Sequence, residues 1–246
     1  MNVEIHDLTR RFGRHQAVNG VELQVDSGVF GLLGPNGAGK TSLFRMMATV
    51  IPPSSGTLRL LGRDPSNQNE RREIRRRLGY LPQNLGYYPR FTVVEFVEYF
   101  ALLKEMPPNQ VAKAVAAAVE KVGLGDKARA RLHTLSGGML RRAGIAQAIV
   151  NSPELVLLDE PTAGLDPEQR VGFRTLLREL GETATVVVST HLVEDVGAAC
   201  SRVGLMYAGR IAFAGTPAEL AGLGDGHAGD APLERGYSAV LAGVRS

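Results

Sequence analysis

Short apolar runs alternate along the chain with longer stretches in which apolar residues recur at three- and four-residue spacing. Three runs are nearly continuous: Val29-Phe30-Gly31-Leu32-Leu33, Leu155-Val156-Leu157-Leu158 and Thr185–Ser189. A half-solvated strand alternates polar and apolar side chains, so an unbroken run predicts a strand covered on both faces. The first run enters a glycine-rich segment and then a helical pattern over Thr41–Thr49. Val3–Leu8, Val21–Val25, Thr57–Leu60 and Leu78–Leu81 read as further strands, punctuated by Asp26-Ser27-Gly28 and Ile51–Gly56. Phe91–Lys104 and Asn109–Val122 read as helices parted by Pro107-Pro108, with no strand signal beside them. Helices are also expected from Ser136-Gly137-Gly138 to Val150 and over Pro167–Leu180, and a hairpin over Val203–Ala214. Gly222–Asp230 reads as a flexible link and Pro232–Leu241 as a closing helix. This order predicts an α/β fold, a mostly parallel sheet with helices on both faces and a helical insertion.

Composition narrows the class. The 246 residues are 44% hydrophobic and 22% charged, which excludes disorder, collagen-like repeats and a disulfide scaffold. No uncharged apolar run approaches the roughly 18–20 residues of a membrane span. The first residues, Met1-Asn2-Val3-Glu4, lack the basic and apolar regions of a secretory signal, so a cytoplasmic chain is expected. The lone Cys200 reads as a core residue in a reducing compartment. A net charge of +3 is too mild to argue for nucleic acid. The arginine run over residues 71–77 reads as a solvated helix face.

Candidate chemistry begins at Gly34-Pro35-Asn36-Gly37-Ala38-Gly39-Lys40-Thr41, followed by Ser42. This fits G-x-x-x-x-G-K-[ST] between a strand and a helix. The glycines let backbone N–H groups converge on phosphate oxygens, and the helix adds its N-terminal dipole. Lys40 supplies positive charge to the outer phosphates, and the Thr41 hydroxyl can ligate Mg²⁺. Asp159 and Glu160 end an apolar strand, at the edge where parallel sheets bind ligands. Asp159 suits Mg²⁺, and Glu160 can polarise an attacking water. Ser136, Gly137 and Gly138 open a helix and form a second anion site, one that could serve the nucleotide of another copy.

These motifs, in this order, resemble the ATP-binding subunits of ABC transporters over about residues 1–218. The resemblance implies a P-loop ATPase core with an N-terminal antiparallel β part and an α-helical insertion. It places an ATP-binding domain at 1–220, with the core at 1–82 and 134–220, the insertion at about 83–133, and a short tail at 221–246. It assigns Phe12 to stacking on adenine, residues 34–42 to the phosphates, and Gln83 to Mg²⁺ and the transmembrane partner. Leu135–Met139 matches the family's signature sequence. Ala163-Gly164-Leu165-Asp166 matches the loop crossing the dimer interface, and His191 the residue holding the γ-phosphate. Phe12 stands where tyrosine is commoner, and stacking needs only the ring. Met139 stands where glutamine is usual; only Ser136, Gly137 and Gly138 are carried over.

Met139 with Arg141-Arg142, and Gly86–Val93, are similar to the branch that exports drugs, lipids or polysaccharides. The resemblance implies that two copies, or a copy and a related subunit, sandwich two ATP on the inner face of the cell membrane. Separate transmembrane permease subunits complete the machine, and no nucleic-acid partner is expected. The insertion is expected to rotate as ATP binds. The groove near Gln83–Arg90 is expected to receive a helix of the permease, with Tyr87 and Tyr88 in contact. Two alternatives stay open: a soluble ABC-type ATPase working on nucleic acid or ribosomes, and a nucleotide-dependent regulatory module without turnover.

Overall fold

The structure, a computed structural model, describes residues 1–226 and 228–245. Its strands are β1 (Val3–Phe12), β2 (His15–Val25), β3 (Gly28–Leu33), β4 (Ser55–Leu60), β5 (Leu78–Leu81), β6 (Leu155–Asp159), β7 (Thr185–Thr190), β8 (Arg202–Tyr207) and β9 (Arg210–Gly215). Its helices are α1 (Lys40–Met47), α2 (Gln68–Arg77), α3 (Val93–Leu103), α4 (Pro108–Lys121), α5 (Gly137–Ile149), α6 (Pro167–Gly181), α7 (Val193–Ala199), α8 (Pro217–Gly222) and α9 (Pro232–Arg245).

The continuous apolar runs become the middle of a six-stranded sheet ordered β5-β6-β7-β3-β8-β9. All neighbours are parallel except β8 and β9, which form the expected hairpin. Every residue of β6 and β7 is buried. Their side chains divide between two cores, as a period of two requires. Leu155, Leu157 and Val187 face the core shared with α1 and a three-stranded antiparallel sheet, β2-β1-β4. Val156, Leu158, Val186 and Val188 face the core shared with α3, α4, α5 and α6.

Several elements depart from the sequence pattern. The strands expected over Val3–Leu8 and Val21–Val25 run on to Phe12 and back to His15. A register shift between Ile5 and Leu8 lets the pair continue past polar residues. Asp7 takes φ 46 there, and its N–H donates to Glu22. The helix expected from Phe91 starts at Val93, because Thr92 and Glu95 form a reciprocal capping box. Helices α7 and α8 were not expected, and α9 extends beyond Leu241 to Arg245. Of the link expected over Gly222–Asp230, His227 lies outside the described residues. The N–H groups of Asp230 and Ala231 donate to Glu234, so the approach to α9 is capped. Leu233, Tyr237 and Val240 of α9 pack against a small core containing Leu33, Val196 and Leu220.

The arginine run forms α2, and its side chains are paired as well as solvated. Arg72 and Arg76 meet Glu105, Arg77 meets Glu154, and Arg75 donates to the Thr49 hydroxyl and carbonyl. Such surface pairs are worth little individually; together they fasten α2 to the ends of α1 and α3 and to the entry of β6. Cys200 packs against apolar neighbours, and burial pushes its thiol up to about 12.

Helix layer and sheet approach closely at Gly79 in β5. A Cβ there would stand 2.0 Å from the Ala148 carbonyl oxygen of α5. Gly79→Ala is therefore expected to destabilise the fold by about 1–3 kcal/mol, read as a lower urea midpoint. An unchanged midpoint would show that α5 is not held tightly on this strand.

Candidate nucleotide-binding and hydrolysis site

Parallel strands end on one edge, and here four of them deliver the chemistry. The phosphate loop follows β3, Gln83 follows β5, Asp159 and Glu160 end β6, and His191 follows β7. The ladder aligns them: Leu33 pairs with Thr190, Asp159 with Ser189, and Leu81 with Leu158.

The phosphate loop closes onto α1 through Gly39, at φ 104. A Cβ at Gly39 would lie 2.2 Å from the Ala17 carbonyl oxygen, and one at Gly34 would lie 2.3 Å from that of Met206. Both positions therefore require glycine. Lys40 is buried, and its Nζ donates to the carbonyls of Gly34 at 2.6 Å and Pro35 at 3.2 Å. It also lies 3.4 Å from Glu160 Oε1. Glu160 Oε2 is 2.8 Å from His191 Nδ1. The catalytic candidates Lys40, Glu160 and His191 thus form one contact chain. Glu160 holds φ 50, a left-handed backbone that costs a non-glycine residue energy. Its N–H donates to Ser189 Oγ at 2.8 Å, which helps fix that conformation.

Ser189 also donates to Asp159 Oδ1 at 2.5 Å, while Asp159 Oδ2 is buried without a hydrogen-bond partner. Burial holds the Asp159 carboxyl above its usual range, against the hydrogen bond from Ser189. Thr41 Oγ1 donates to Gln83 Oε1 at 3.2 Å, so these two predicted metal-site residues meet. A cavity of about 320 Å³ is lined by residues 35–42, Gln83 and Glu160, together with His15 and Ala17.

Gly34, Asp159 and His191 adjoin that lining without forming part of it, and three further groups of predicted residues lie outside it. Phe12 is 43% exposed at the end of β1 and pairs across the turn with His15, which does line the cavity. The Arg10 guanidinium covers one face of its ring at 4.7 Å from the centroid. Ser136 caps α5, accepting from the Met139 N–H, and is exposed with Gly137. Gly138 is buried against α6, where a Cβ would stand 2.3 Å from Gln169 Oε1. Ala163 and Gly164 are exposed, and Asp166 caps α6 by accepting from the Gln169 N–H.

The structure adds residues that sequence reasoning missed. Ser189 carried a signal, a small polar side chain ending an otherwise apolar strand. His15 carried none. Asp195 of α7 accepts from Arg174 of α6 and from Thr162, two residues after Glu160. Arg141 of α5 reaches the carbonyls of both acidic residues.

Comparison with known proteins agrees with this geometry. The ABC transporter family model matches residues 18–163. The uncharacterised ABC transporter ATP-binding protein YxlF of Bacillus subtilis is 36% identical over 219 residues, 89% of this chain and 72% of that protein. The Nod factor export ATP-binding protein I of Cupriavidus metallidurans is 37% identical over 220 residues, with the same coverage. The linearmycin resistance ATP-binding protein LnrL of Bacillus subtilis is 32% identical over 220 residues, 89% of this chain and 70% of that protein. Among solved structures, an ATP-binding cassette dimer in a post-hydrolysis state with ADP and phosphate superposes with a TM-score of 0.79. It is 25% identical and covers 87% of this chain and 98% of that one. An ATP-binding subunit of an ABC transporter superposes at 0.86 with 22% identity over 98% and 100% of the two chains, which shows the shared fold. With its phosphate loop, paired acids and histidine gathered on one sheet edge, this chain belongs to the ABC transporter family as one of its ATP-binding proteins.

Proposed function

We propose that two copies of this chain, or one copy and a related subunit, hydrolyse ATP at their shared face to drive an exporter. The observation that carries the reading is the Glu160 carboxylate set between Lys40 and His191 at the mouth of the phosphate loop. Lys40 and the loop N–H groups bind the phosphates. Glu160 accepts a proton from the attacking water, and His191 steadies the γ-phosphate. Phe12 offers its ring to adenine beside the cavity. Ser136 and Gly137, exposed and outside this chain's own lining, supply anion contacts to the nucleotide of the facing copy. Gly138 contributes by its lack of a side chain.

The donor set suits Mg²⁺. Among the described residues no three His, Cys, Asp or Glu cluster as a metal site, but magnesium carried by phosphates needs only one or two carboxylates. Thr41, Gln83 and the unpartnered Asp159 Oδ2 are hard oxygen donors that fit this role. The ion supplies neutralisation of phosphate charge.

The reading extends to the membrane. Residues 1–220 act as the ATPase unit, 83–133 as its movable helical part, and 221–246 as a tail. No described helix is long and apolar enough to cross a membrane, so separate permease subunits provide the path and hold this chain at the inner face. A groove of about 800 Å³, lined in part by Val50, Tyr80, Phe100, Leu103 and Lys104, supports docking there. Tyr87 and Tyr88, in the segment Gln83–Arg90 expected to receive the permease helix, are exposed but do not line this groove. Export is the direction named for one of the relatives above, the Nod factor protein.

Glu160→Gln is expected to retain ATP binding and to lose about 10²–10⁴-fold in turnover, measured as phosphate release. Normal turnover would remove Glu160 from the chemistry. Ser136→Arg should leave ATP binding by the monomer intact yet abolish steady-state hydrolysis, and full activity would sink the shared site. Ser189→Ala leaves the Glu160 N–H without its acceptor; a stability loss of about 1–3 kcal/mol is expected, with slower hydrolysis in the folded protein.

A further inference from the structure

Arg141 is buried, and among the described residues no carboxylate oxygen comes within ion-pair distance of it. Its guanidinium donates instead to backbone carbonyls on two separate strand extensions. Nη1 reaches Pro82 O at 2.9 Å and Gln83 O at 3.0 Å. Nη2 reaches Asp159 O and, at 2.7 Å, Glu160 O, while Nε reaches Pro161 O at 3.3 Å. Guanidinium has five N–H groups in a rigid fork, and here they meet five carbonyls.

The need for such a group follows from where the sheet stops. The β5–β6 ladder ends at Leu81 and Leu158. The next residue of one extension is Pro82, and Pro161 lies on the other; neither has an N–H to continue the ladder. Yet these extensions carry Gln83, Asp159 and Glu160. Glu160 is also strained at φ 50 and needs its surroundings to hold it.

We propose that Arg141 is a positioning residue for ATP hydrolysis: its guanidinium replaces the missing ladder and fixes the spacing between Gln83 and Glu160. This rests on the site reading given above. Arg141 does not line the cavity of the phosphate loop. It acts through the backbone of residues that do. Burial lowers its pKa to about 10, with Asp159 and Glu160 opposing, so it keeps its charge at neutral pH. Lysine is no substitute, because a single ammonium cannot hold both extensions.

The test compares Arg141→Lys, Glu160→Gln and wild type for melting temperature, ATP affinity, kcat, KM and half-saturating Mg²⁺. For Arg141→Lys we expect kcat to fall about 10–100-fold while ATP affinity changes less than about threefold, with a raised Mg²⁺ requirement. An unchanged kcat per folded molecule, or a loss that only tracks the folded fraction, overturns the proposal. Glu160→Gln separates the two readings: if it hydrolyses normally, the site reading has failed. If it is inactive while Arg141→Lys is normal, only the role of Arg141 has failed.

Should Arg141→Lys not fold, the wild-type protein decides. The ¹⁵N-labelled Arg141 Nε–H, identified by its nuclear Overhauser contacts to Pro161, is expected to be exchange-protected and to shift when Mg²⁺ joins bound ATP. A resonance indifferent to both nucleotide and metal overturns the proposal.

Discussion

Charge buried at the end of an apolar parallel sheet is the constraint on which the rest of the structure depends. Asp159 is 0% exposed, Glu160 5%, Lys40 6% and Arg141 7%. Any one of these alone in such surroundings would cost several kcal/mol. They are tolerable because they share one edge, two cations and two carboxylates, with carbonyls and Ser189 taking up the remaining valences except at Asp159 Oδ2. The strand order β5-β6-β7-β3 is what brings them together from positions far apart in sequence. Removing one member leaves its neighbours uncompensated, so the stability of this edge depends on all of them.

The buried strands and the phosphate loop were legible because each is written in contiguous residues. An apolar run has few alternatives to a doubly covered strand, and glycine spacing encodes positive φ directly. What the pattern could not show was pairing at a distance. The slip at Asp7 is an exchange with Glu22 on another strand, and no local periodicity records it. Helix α7, with Gly197 and seven residues, is too short to build a helical period. The arginines of α2 looked free because their acids, Glu105 and Glu154, lie in other elements. Arg141 was legible only as part of a basic pair, since its partners are carbonyls and carbonyls have no sequence.

The candidate site divides along the same line. The residues lining the cavity were found by their types and spacing, apart from Gln83, which came from the family resemblance, and His15 and Ala17, which were not found. The sequence order also found the second anion site, but not how differently its glycines are used. Gly137 is exposed, whereas Gly138 is small because Gln169 of α6 lies against it. The same motif therefore serves an outward surface and an inward packing contact.

Those two uses meet on α5. Ser136 caps the helix, and Arg141 lies five residues further on, a rise of about 7.5 Å along one continuous α-helix. Over that length an α-helix moves as a rigid body. A shift of α5 carries the Arg141 backbone with it, and the Arg141 guanidinium is bonded to the carbonyls of Gln83 and Glu160. The exposed cap of α5 and the edge that holds this chain's own carboxylates are thus joined by one helix.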